Sequence, residues 1–512
     1  MFFLLFGFLE LHAQFTYFNN RYNNDNWSAA LTILETDPGY IVCGVSGQVS
    51  NGYIFNRIVL TSIDDEGNQV WWKTYGEDFH NYYAGWSRGL LKTSDGGYIL
   101  CASIEDLIRS VALLMKIDNN GDSLWSRIYG DTISPDYSST WFSVCAQLPD
   151  KGFLITGDVY VSGDDGDILL IRTDSLGNTI WENTYGELHW IESGFSIALL
   201  PDGNFLIGIQ RDRVGISTSR DPGLLKVDSL GNIIWIKYYG GVFDDGQAQV
   251  ILSRDGNYLV GTVFAVHQPN EDYPYHKIWL FKTDTEGNML WERKYSDTEF
   301  TGWCSAVEEL NDTSIIISGT GSFADGFGSY GWILKTKQNG DSIWMRRYSH
   351  YPTFDNHLND LRITSDNGLI ITGMTLGEPE WEQSIWVQKL DSIGCDSVRC
   401  DTTVGIIERQ GGAEAWEHGG LEIWPNPARD QVHVRLNMDL GRFYRDLELE
   451  IYDIYGRQLQ ANSFSFPRRG GGWEGGWNGW TIDVSSFPPG VYIAIMKNGL
   501  NVLDSRKFII AR

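Results

Sequence analysis

The sequence predicts an all-β chain: a seven-bladed β-propeller with four-stranded blades, followed by a small C-terminal β-sandwich of immunoglobulin-like type. Glycine, tryptophan and tyrosine are abundant together, with 57, 21 and 25 copies, whereas there are only 14 prolines. That composition is typical of many short strands joined by tight turns. A motif also recurs along most of the chain, which indicates a repeat architecture, and it is absent from the C-terminal part.

The most regular part of the motif is a glycine followed by tryptophan and then tyrosine at intervals of four residues. Successive glycines are separated by 54, 56, 54, 56 and 53 residues. Because side chains alternate between the two faces of a strand, the tryptophan and tyrosine share one face, and we interpret them as packing residues of a fourth strand. The six copies are Gly67/Trp71/Tyr75, Gly121/Trp125/Tyr129, Gly177/Trp181/Tyr185, Gly231/Trp235/Tyr239, Gly287/Trp291/Tyr295 and Gly340/Trp344/Tyr348.

Two further anchors define the other strands of each repeat. An Asp-Gly-type turn precedes a run such as Tyr98-Ile-Leu, and a run such as Leu-Leu-Met-Lys116 follows it. Glycine and asparagine accept the positive φ that hairpin turns need, so these connections join antiparallel strands. Four such strands per repeat are typical of a propeller blade. A solenoid of four-stranded units is the alternative, although no capping sequence is evident.

The count of anchors predicts how the ring closes. Strands one to three occur seven times, but the complete fourth strand occurs only six times. We expect the N-terminal segment around Tyr17 and Phe18 to supply the outer strand of the last blade, so that residues 14–395 form the propeller. Such closure leaves no unpaired blade edge.

Residues 1–13 are predicted to be a signal peptide cleaved between Ala13 and Gln14, because an apolar stretch precedes a small residue. No basic residue precedes the stretch, and Glu10 follows it closely; a start codon assigned too far downstream would explain the first departure. A buried N-terminal strand is the alternative. No apolar run reaches the roughly 18 residues of a membrane span, so no transmembrane segment is expected.

The charge excludes one class of partner. The formal net charge of −27 would repel a phosphate backbone, so we expect no nucleic acid partner. Residues 413–512 hold 11 basic and 12 acidic residues, which leaves 28 basic and 54 acidic residues in 1–412. The negative charge therefore belongs to the predicted propeller, which we expect to be a monomer.

The loops on one face of the predicted blades are the candidate binding surface. Connections between strands one and two, and between three and four, are short and alike in every repeat, whereas the other connections diverge. Function on a rigid scaffold usually resides on variable loops. The aromatic residues there could instead plug the central channel or pack between blades. The candidates are Tyr82, Tyr83, Trp190, Phe243, Phe300 and Phe354.

From about Gly420 the residues alternate as six short strands of a sandwich. Four ordered motifs there contain Pro425, Asn426, Pro427, Gly456, Gly490, Tyr492 and Lys507. They resemble the type A C-terminal sorting domain of the Bacteroidetes type IX secretion system. The resemblance implies a sorting domain at residues 419–512, the secretion machinery as partner, and export through the periplasm to the cell surface or the medium. It also implies removal of the domain or attachment to lipopolysaccharide.

The repeat itself has weaker resemblances. Asp174, Gly177 and Trp181 resemble the docking motif of pyrroloquinoline-quinone-type propellers, and the same turn is similar to the Asp-box of sialidases, with altered spacing in both. We find neither the cofactor ligands of the first family nor the arginine cluster of the second in this sequence, and we therefore predict no cofactor. The whole repeat looks like the similarly sized repeats of secreted Bacteroidetes proteins.

We predict no metal site. Cys395 and Cys400 stand at the start of a linker, residues 396–418, and in an exported chain we expect them to form a disulfide, because no second Cys or His pair accompanies them. Two other groups could ligate a metal, although solvated loop residues are the simpler interpretation: His350, His357 and Asp355 in one loop, and Asp164, Asp165 and Asp167 in another.

Two functions remain open at this stage. A propeller that binds a glycan, polymer or protein on its variable-loop face is favoured by the aromatic, acidic loops and by the lack of a recognised catalytic motif in the sequence. An extracellular hydrolase or lyase with its site in the channel mouth is the alternative. A purely structural or adhesive role is a third possibility.

Overall fold

The computed structural model describes residues 16–105, 109–130, 137–161, 166–213, 220–241, 243–266, 275–323, 328–351, 354–377, 382–396, 421–424, 428–436, 446–453, 458–465, 479–498 and 501–510. These residues form strands and turns, with no helix among them, so the prediction of an all-β chain is confirmed. Within those ranges, no helix that could span a membrane is found. The chain separates into two compact bodies, residues 1–407 and 408–512, which we describe one at a time.

The N-terminal body begins with β1 (Phe18–Tyr22) and continues as consecutive sets of antiparallel strands, which we call units 1 to 7. Units 1 and 2 contain β2 (Trp27–Glu35), β3 (Tyr40–Ser50), β4 (Tyr53–Ile63) and β5 (Gln69–Tyr75), then β6 (Asn81–Ala84), β7 (Leu90–Lys92), β8 (Tyr98–Glu105), β9 (Ser110–Ile117) and β10 (Ser123–Tyr129). Units 3 and 4 contain β11 (Tyr137–Gln147), β12 (Phe153–Val161), β13 (Gly166–Thr173) and β14 (Thr179–Tyr185), then β15 (Trp190–Leu199), β16 (Phe205–Arg213), β17 (Asp221–Val227) and β18 (Ile233–Tyr238).

Units 5 and 6 share one long strand, β22 (Met289–Glu309), whose first part pairs with β21 and whose second part pairs with β23. Unit 5 contains β19 (Gln249–Leu252), β20 (Tyr258–Val266) and β21 (Tyr275–Thr283), and unit 6 contains β23 (Ile315–Phe323), β24 (Ser329–Thr336) and β25 (Ser342–Tyr348). Unit 7 contains β26 (Asn356–Ile363), β27 (Leu369–Gly377) and β28 (Glu382–Leu390).

The N-terminal strand completes unit 7. β1 pairs antiparallel with β28, and the pairing sets Phe18 opposite Lys389 and Tyr22 opposite Ile385. The sheet order is therefore β1-β28-β27-β26, in which the first strand of the chain takes the outer position. The segment that the sequence predicts to complete the last repeat does occupy that place.

The apolar core lies between consecutive units. Each unit packs one sheet face against the next, and unit 7 packs against unit 1 in the same way, with Ile370 and Ile385 in one cluster with Val42 and Val59. Strands two and three of each unit are covered on both faces, so their residues are apolar at successive positions and do not alternate. The runs predicted as strands two and three are accordingly almost wholly buried.

A repeated hydrogen bond joins each unit to the next. The hydroxyl of the tyrosine on the fourth strand donates to the carbonyl oxygen of the turn glycine in the following unit. The pairs are Tyr22 to Gly67 (2.6 Å), Tyr75 to Gly121 (2.5 Å), Tyr129 to Gly177 (2.6 Å), Tyr185 to Gly231 (2.6 Å), Tyr239 to Gly287 (2.7 Å), Tyr295 to Gly340, and Tyr348 to Gly394 (2.8 Å).

The tryptophan of the motif lies over the same glycine. Gly121 has a φ of +83°, and a Cβ there would lie 2.8 Å from the Trp71 ring. Positive φ and a covering ring both require glycine at this position. On β1, Phe18 takes the place of the tryptophan, because its ring lies over Gly67.

Ion pairs explain the basic residue of strand three. In five units it extends to the aspartate of the turn between strands one and two, which makes these turns part of the scaffold, whereas Lys226 of unit 4 donates instead to the Thr285 carbonyl (3.3 Å). The ion pairs are Lys116 with Asp95 (3.5 Å), Arg172 with Asp150 (2.7 Å), Lys282 with Asp255 (2.6 Å), Lys335 with Asp312 (3.5 Å) and Lys389 with Asp366 (2.9 Å).

The C-terminal body contains two antiparallel sheets, ordered β29-β30-β33 and β32-β31-β34-β35. Their strands are β29 (Leu421–Trp424), β30 (Gln431–Leu436), β31 (Asp446–Asp453), β32 (Gln458–Ser465), β33 (Gly479–Asp483), β34 (Gly490–Asn498) and β35 (Asn501–Ile510). Six of them are the strands predicted from sequence. β32 is an additional one, which pairs with β31 and whose alternation of polar and apolar residues is short and breaks at Ser463 and Phe464.

Of the sorting motif, Gly490 begins β34 and Tyr492 is buried, with its hydroxyl donating to the Pro488 carbonyl (2.5 Å). Lys507 lies on β35 opposite Ile493. The other predicted motif residues, Pro425, Asn426, Pro427 and Gly456, lie outside the described residues, as do Ala13 and Gln14 of the predicted cleavage site.

Candidate functional site

The variable loops of the repeat lie at the ends of the strands opposite the Asp-Gly turns. At these ends in unit 4, β15 begins with Trp190, β16 ends near Arg211, β17 begins with Asp221 and β18 ends with Tyr238. Antiparallel pairing therefore brings four residues that are far apart in sequence to one edge of one sheet. They form a charged and aromatic cluster on this face.

Arg211 is held between two aromatic rings. Its guanidinium lies 4.4 Å from the centroid of the Trp190 ring and 3.9 Å from that of Tyr238. Its Nε and Nη2 both donate to Oδ2 of Asp221 at 3.2 Å. Cation–π contact and a charge-assisted hydrogen bond together fix the orientation of the rings. Trp190 is thereby held half-buried at the edge of the unit, so that part of its ring faces solvent.

Three carboxyl groups of units 3 to 5 are desolvated near this face. Burial raises the pKa of Asp158 to about 7, that of Glu192 to about 7 and that of Asp245 to about 6. Glu192 Oε1 accepts a hydrogen bond from the Tyr238 hydroxyl (3.4 Å), and Glu192 lies opposite Arg211 in the pairing of β15 with β16. Nearby Asp167 and Glu187 raise the pKa of Glu192 further, because like charges disfavour ionisation.

Asp245 organises the loop that enters unit 5. Its Oδ1 accepts from the Ala265 backbone N–H (2.6 Å) and its Oδ2 from that of Gly241 (2.8 Å). Both oxygens are thus engaged by backbone. His276 nearby donates through Nε2 to the Asp244 carbonyl (3.0 Å) and accepts at Nδ1 from the Gly302 N–H (3.1 Å), which corresponds to a neutral imidazole. The hydrogen bonds of Asp245 and His276 to backbone groups therefore fix the conformation of the loops around them.

A segment of unit 2 reaches distant units. Between β6 and β7, the Trp86 carbonyl accepts from Thr32 of unit 1 (3.2 Å), and Ser87 donates to Asp360 of unit 7 (3.0 Å). Arg88 pairs with Glu308 of unit 6 at 2.5 Å. Units 2 and 6 are far apart along the chain, so these contacts tie together strands from different parts of the N-terminal body.

The six predicted aromatic residues occupy different environments. Tyr82 is only 9% exposed and belongs to the apolar cluster between units 1 and 2, because its strand faces the core there. Tyr83 is half-buried, with its hydroxyl donating to Glu105 (3.0 Å) and its ring against Trp141. Phe243 is half-buried beside Asp244. Because Tyr82 is buried between two units, the six residues do not form one exposed patch.

The remaining two predicted aromatics lie in units 5 to 7. Phe300 lies on β22, opposite His276 and Phe323. Phe354 is half-buried, and its ring meets that of Tyr351 edge-on at 6.3 Å. The sequence analysis did not identify Arg211 or Tyr238 as site residues. Tyr238 precedes the motif tyrosine Tyr239 and has no repeated pattern of its own, and Arg211 meets the two rings only after the strands have paired.

The loop residues considered as metal ligands are engaged otherwise. His350 interacts through Nδ1 with Asn19 Oδ1 (3.1 Å), and His357 meets the Trp303 ring edge-on at 5.1 Å. Burial lowers the pKa of both imidazoles, that of His350 to about 4. Asp164 and Asp165 lie outside the described residues. In the part of the chain that the structure describes, no three His, Cys, Asp or Glu side chains converge as metal ligands would.

The cysteines also have clear environments. Cys43, Cys101, Cys145 and Cys304 are buried free thiols, as small apolar residues would be. Cys395 is buried and disulfide-bonded. Cys400, its predicted partner, lies outside the described residues.

Comparison with known families concerns the C-terminal body. Residues 422–511 match the family model described as the secretion system C-terminal sorting domain. The chain thus carries a type IX sorting domain, which engages the type IX machinery and directs export to the cell surface or the extracellular space. No curated protein matches the chain.

Several solved structures are distantly similar. PorZ, a bacterial surface component of the type IX secretion system of Porphyromonas gingivalis, is 12% identical over 94% of this chain and 70% of its own, with a TM-score of 0.29. The α-L-arabinofuranosidase Arb93A of Fusarium graminearum is 12% identical over 59% and 91%, with a TM-score of 0.41. Polysaccharide lyase Uly1 is 11% identical over 75% and 93%, with a TM-score of 0.42. Similarity at this level carries no argument about function.

Proposed function

We propose that the N-terminal body is a closed seven-bladed β-propeller that binds an extracellular polymer or protein on its variable-loop face. The ring is supported by contacts between the first and last units: Tyr22 donates to Gly67, and Ile33 donates its N–H to Asp360 (3.1 Å). A solenoid would place contacts only between neighbouring repeats. The Arg88–Glu308 pair joins units 2 and 6 and argues against that alternative.

The observation that carries the binding proposal is the Trp190–Arg211–Tyr238 stack. A half-buried tryptophan is oriented by a cation that is itself paired with Asp221, so the ring is rigid before any ligand arrives. Pre-organised aromatic groups lose little conformational entropy on binding. The opposite face carries the repeated turns and buried ion pairs of the scaffold, which leaves the variable-loop face for recognition.

The hydrolase or lyase alternative has less support. Such chemistry needs carboxyl groups that are free to reach a bound substrate. Asp245 has its two oxygens hydrogen-bonded to the backbone N–H groups of Ala265 and Gly241, and Glu192 accepts a hydrogen bond from Tyr238, whose ring contacts Arg211. We therefore regard these carboxyl groups as structural.

Export would follow a defined route. A signal peptide at residues 1–13 would direct the chain to the periplasm, and the sorting domain at residues 419–512 would direct it onward. The propeller would occupy residues 14–395, and the linker at 396–418 would begin with the Cys395–Cys400 disulfide. Removal of the sorting domain or its attachment to lipopolysaccharide would decide whether the propeller is released or retained.

Binding can be tested with the full chain on a mixed array of glycans and proteins. Trp190→Ala should lower affinity for the bound class at least about tenfold, which corresponds to about 1.4 kcal/mol. Ile180→Ala, at an exposed site on the opposite end of a fourth strand, serves as the matched control. Equal binding by both variants, or no binding by the wild type, would contradict the proposal.

A further inference from the structure

A second aromatic group lies on the variable-loop face at units 1 and 2. β3 and β4 form a long hairpin of two 11-residue strands, whose turn residues Asn51 and Gly52 have φ values of +52° and +80°. Tyr53 and Phe55 lie just beyond this turn, with ring centroids 6.4 Å apart, and the Phe79 ring lies 5.6 Å from that of Phe55. We call Tyr53, Phe55 and Phe79 the aromatic strip.

The strip is held in place by an ion pair between buried Arg57 and exposed Asp78. Arg57, whose side chain is 5% exposed, donates from Nη2 to Asp78 Oδ1 (2.7 Å) and from Nη1 to the His80 carbonyl (3.1 Å). Asp78 Oδ2 accepts from the Ser50 hydroxyl (2.6 Å). These bonds fasten the loop carrying Phe79 to the hairpin carrying Tyr53.

Folding alone does not explain where these rings lie. Tyr53 is 67% exposed and Phe79 66% exposed, and Phe79 has a φ of +69°, which is unfavourable for a bulky residue. The same conformation occurs at His189 (φ +72°), at the equivalent position of the loop that enters unit 4, so it belongs to this type of loop. The loop conformation directs the Phe79 ring outward, and the Arg57–Asp78 pair ties this loop to the hairpin, where the ring contacts Phe55.

The size of the strip argues against a protein partner. A stable protein interface buries about 800 Å² on each side. One aromatic side chain buries about 150–250 Å² in full, and these three are already partly covered, so together they supply clearly less than such an interface needs. A ligand composed of small units, each able to cover one ring, fits the strip better.

The charges near the aromatic strip indicate which class of polymer fits it. Arg57 is the cation closest to the strip, but it is buried and neutralised by Asp78, so an anionic polymer would find no counter-charge there. The charge of Asp78 is offset by Arg57, so the pair presents no net charge that would attract a cationic polymer. A sugar ring has an apolar C–H face that covers an aromatic ring and hydroxyls that reach polar neighbours.

We infer that the aromatic strip binds an uncharged polysaccharide, with sugar rings stacked on Tyr53 and Phe79. This inference rests on the proposed binding function and names the ligand class for a second part of the same face. Phe55 would support the two outer rings, since it lies between them and is less exposed.

The test uses the full chain with three neutral polysaccharides, a β-glucan, a xylan and a mannan, and with alginate as the anionic probe, in affinity gel electrophoresis. Phe79→Ala and Tyr53→Ala should each weaken binding of a neutral probe at least about tenfold, and Tyr53→Phe should retain it. Leu188→Ala is the matched control, because Leu188 is an exposed apolar residue of the same face.

Different outcomes separate this inference from the broader proposal. If Trp190→Ala abolishes binding while both strip variants bind like the wild type, the strip is wrong and the binding function stands. Binding of alginate alone, or a wild-type dimer in light scattering that Phe79→Ala dissociates, would also overturn the strip as a neutral-glycan site. If neither the polysaccharides nor the array ligands bind the wild type, both proposals fail.

Discussion

The hydroxyl of Tyr22 donates a hydrogen bond to the carbonyl oxygen of Gly67 (2.6 Å), which joins β1 to a turn of unit 1. Tyr22 is four residues after Phe18, so β1 reproduces the tryptophan and tyrosine spacing of every other fourth strand with one aromatic replaced by another. Because β1 also pairs with β28, this single strand holds unit 7 to unit 1.

Tyr22→Phe should lower the free energy of unfolding by about 1 kcal/mol, because it removes a buried hydrogen bond and leaves the Gly67 carbonyl without this donor. The midpoint of urea unfolding measures the change. Tyr53→Phe is the control, since the hydroxyl of Tyr53 lies on an exposed ring. Equal midpoints for the two variants would show that the Tyr22 bond does not stabilise the closure.

Gly121→Ala should destabilise the protein more than Gly203→Ala. Both glycines have a φ of +83°, so both substitutions add backbone strain of about 1 kcal/mol. A methyl group at Gly121 would in addition lie 2.8 Å from Trp71, whereas nothing lies within 4 Å of one at Gly203. We expect the difference to be about 1–3 kcal/mol by urea unfolding. Identical losses would mean that the tryptophan moves aside freely.

Asp366→Asn should destabilise by about 2 kcal/mol, because it leaves the charge of Lys389 buried and without its carboxylate. The Lys389 side chain is 2% exposed, and its Nζ also donates to Thr364 Oγ1 (2.9 Å). Asp122→Asn removes the partner of Lys73, a pair that solvent reaches, and should cost less than about 0.5 kcal/mol. A comparable loss for both variants in denaturant unfolding would contradict this assignment.

Stability should fall as pH rises from about 4.5 to about 7, and Glu192→Gln should make that fall smaller. Burial raises the pKa of Glu192 to about 7 in the folded state, whereas an unfolded glutamate titrates near about 4.3. The folded state therefore binds more protons between these values, and its advantage is lost as pH rises.

Carboxyl groups with lowered pKa, such as that of Asp64, which accepts hydrogen bonds from Asn68, affect only the more acidic range. Denaturant unfolding at several pH values measures the slope, with the exposed Glu66→Gln as control. An unchanged slope for Glu192→Gln would show that Glu192 titrates normally in the folded protein.

Strand identities and the completion of unit 7 could be predicted from the sequence alone. Turn glycines with positive φ and the tryptophan and tyrosine pair recur at fixed spacing, because each must meet the same neighbour in the next unit. The shortage of one fourth strand then leaves β1 as its replacement. The strand β32 was missed because its alternation of polar and apolar residues covers only Gln458–Asn462 and breaks at Ser463 and Phe464.

What the sequence determined by itself is the all-β repeat and the sorting domain, since both depend on local periodicity and on short motifs. Only the tertiary structure decided which aromatic rings reach solvent. Tyr82 faces the neighbouring unit and is buried, whereas Tyr53 lies beyond the end of a long hairpin and is exposed. Exposure depends on what lies opposite a side chain in space, and residues such as Arg211 and Trp190 meet only after the strands have paired.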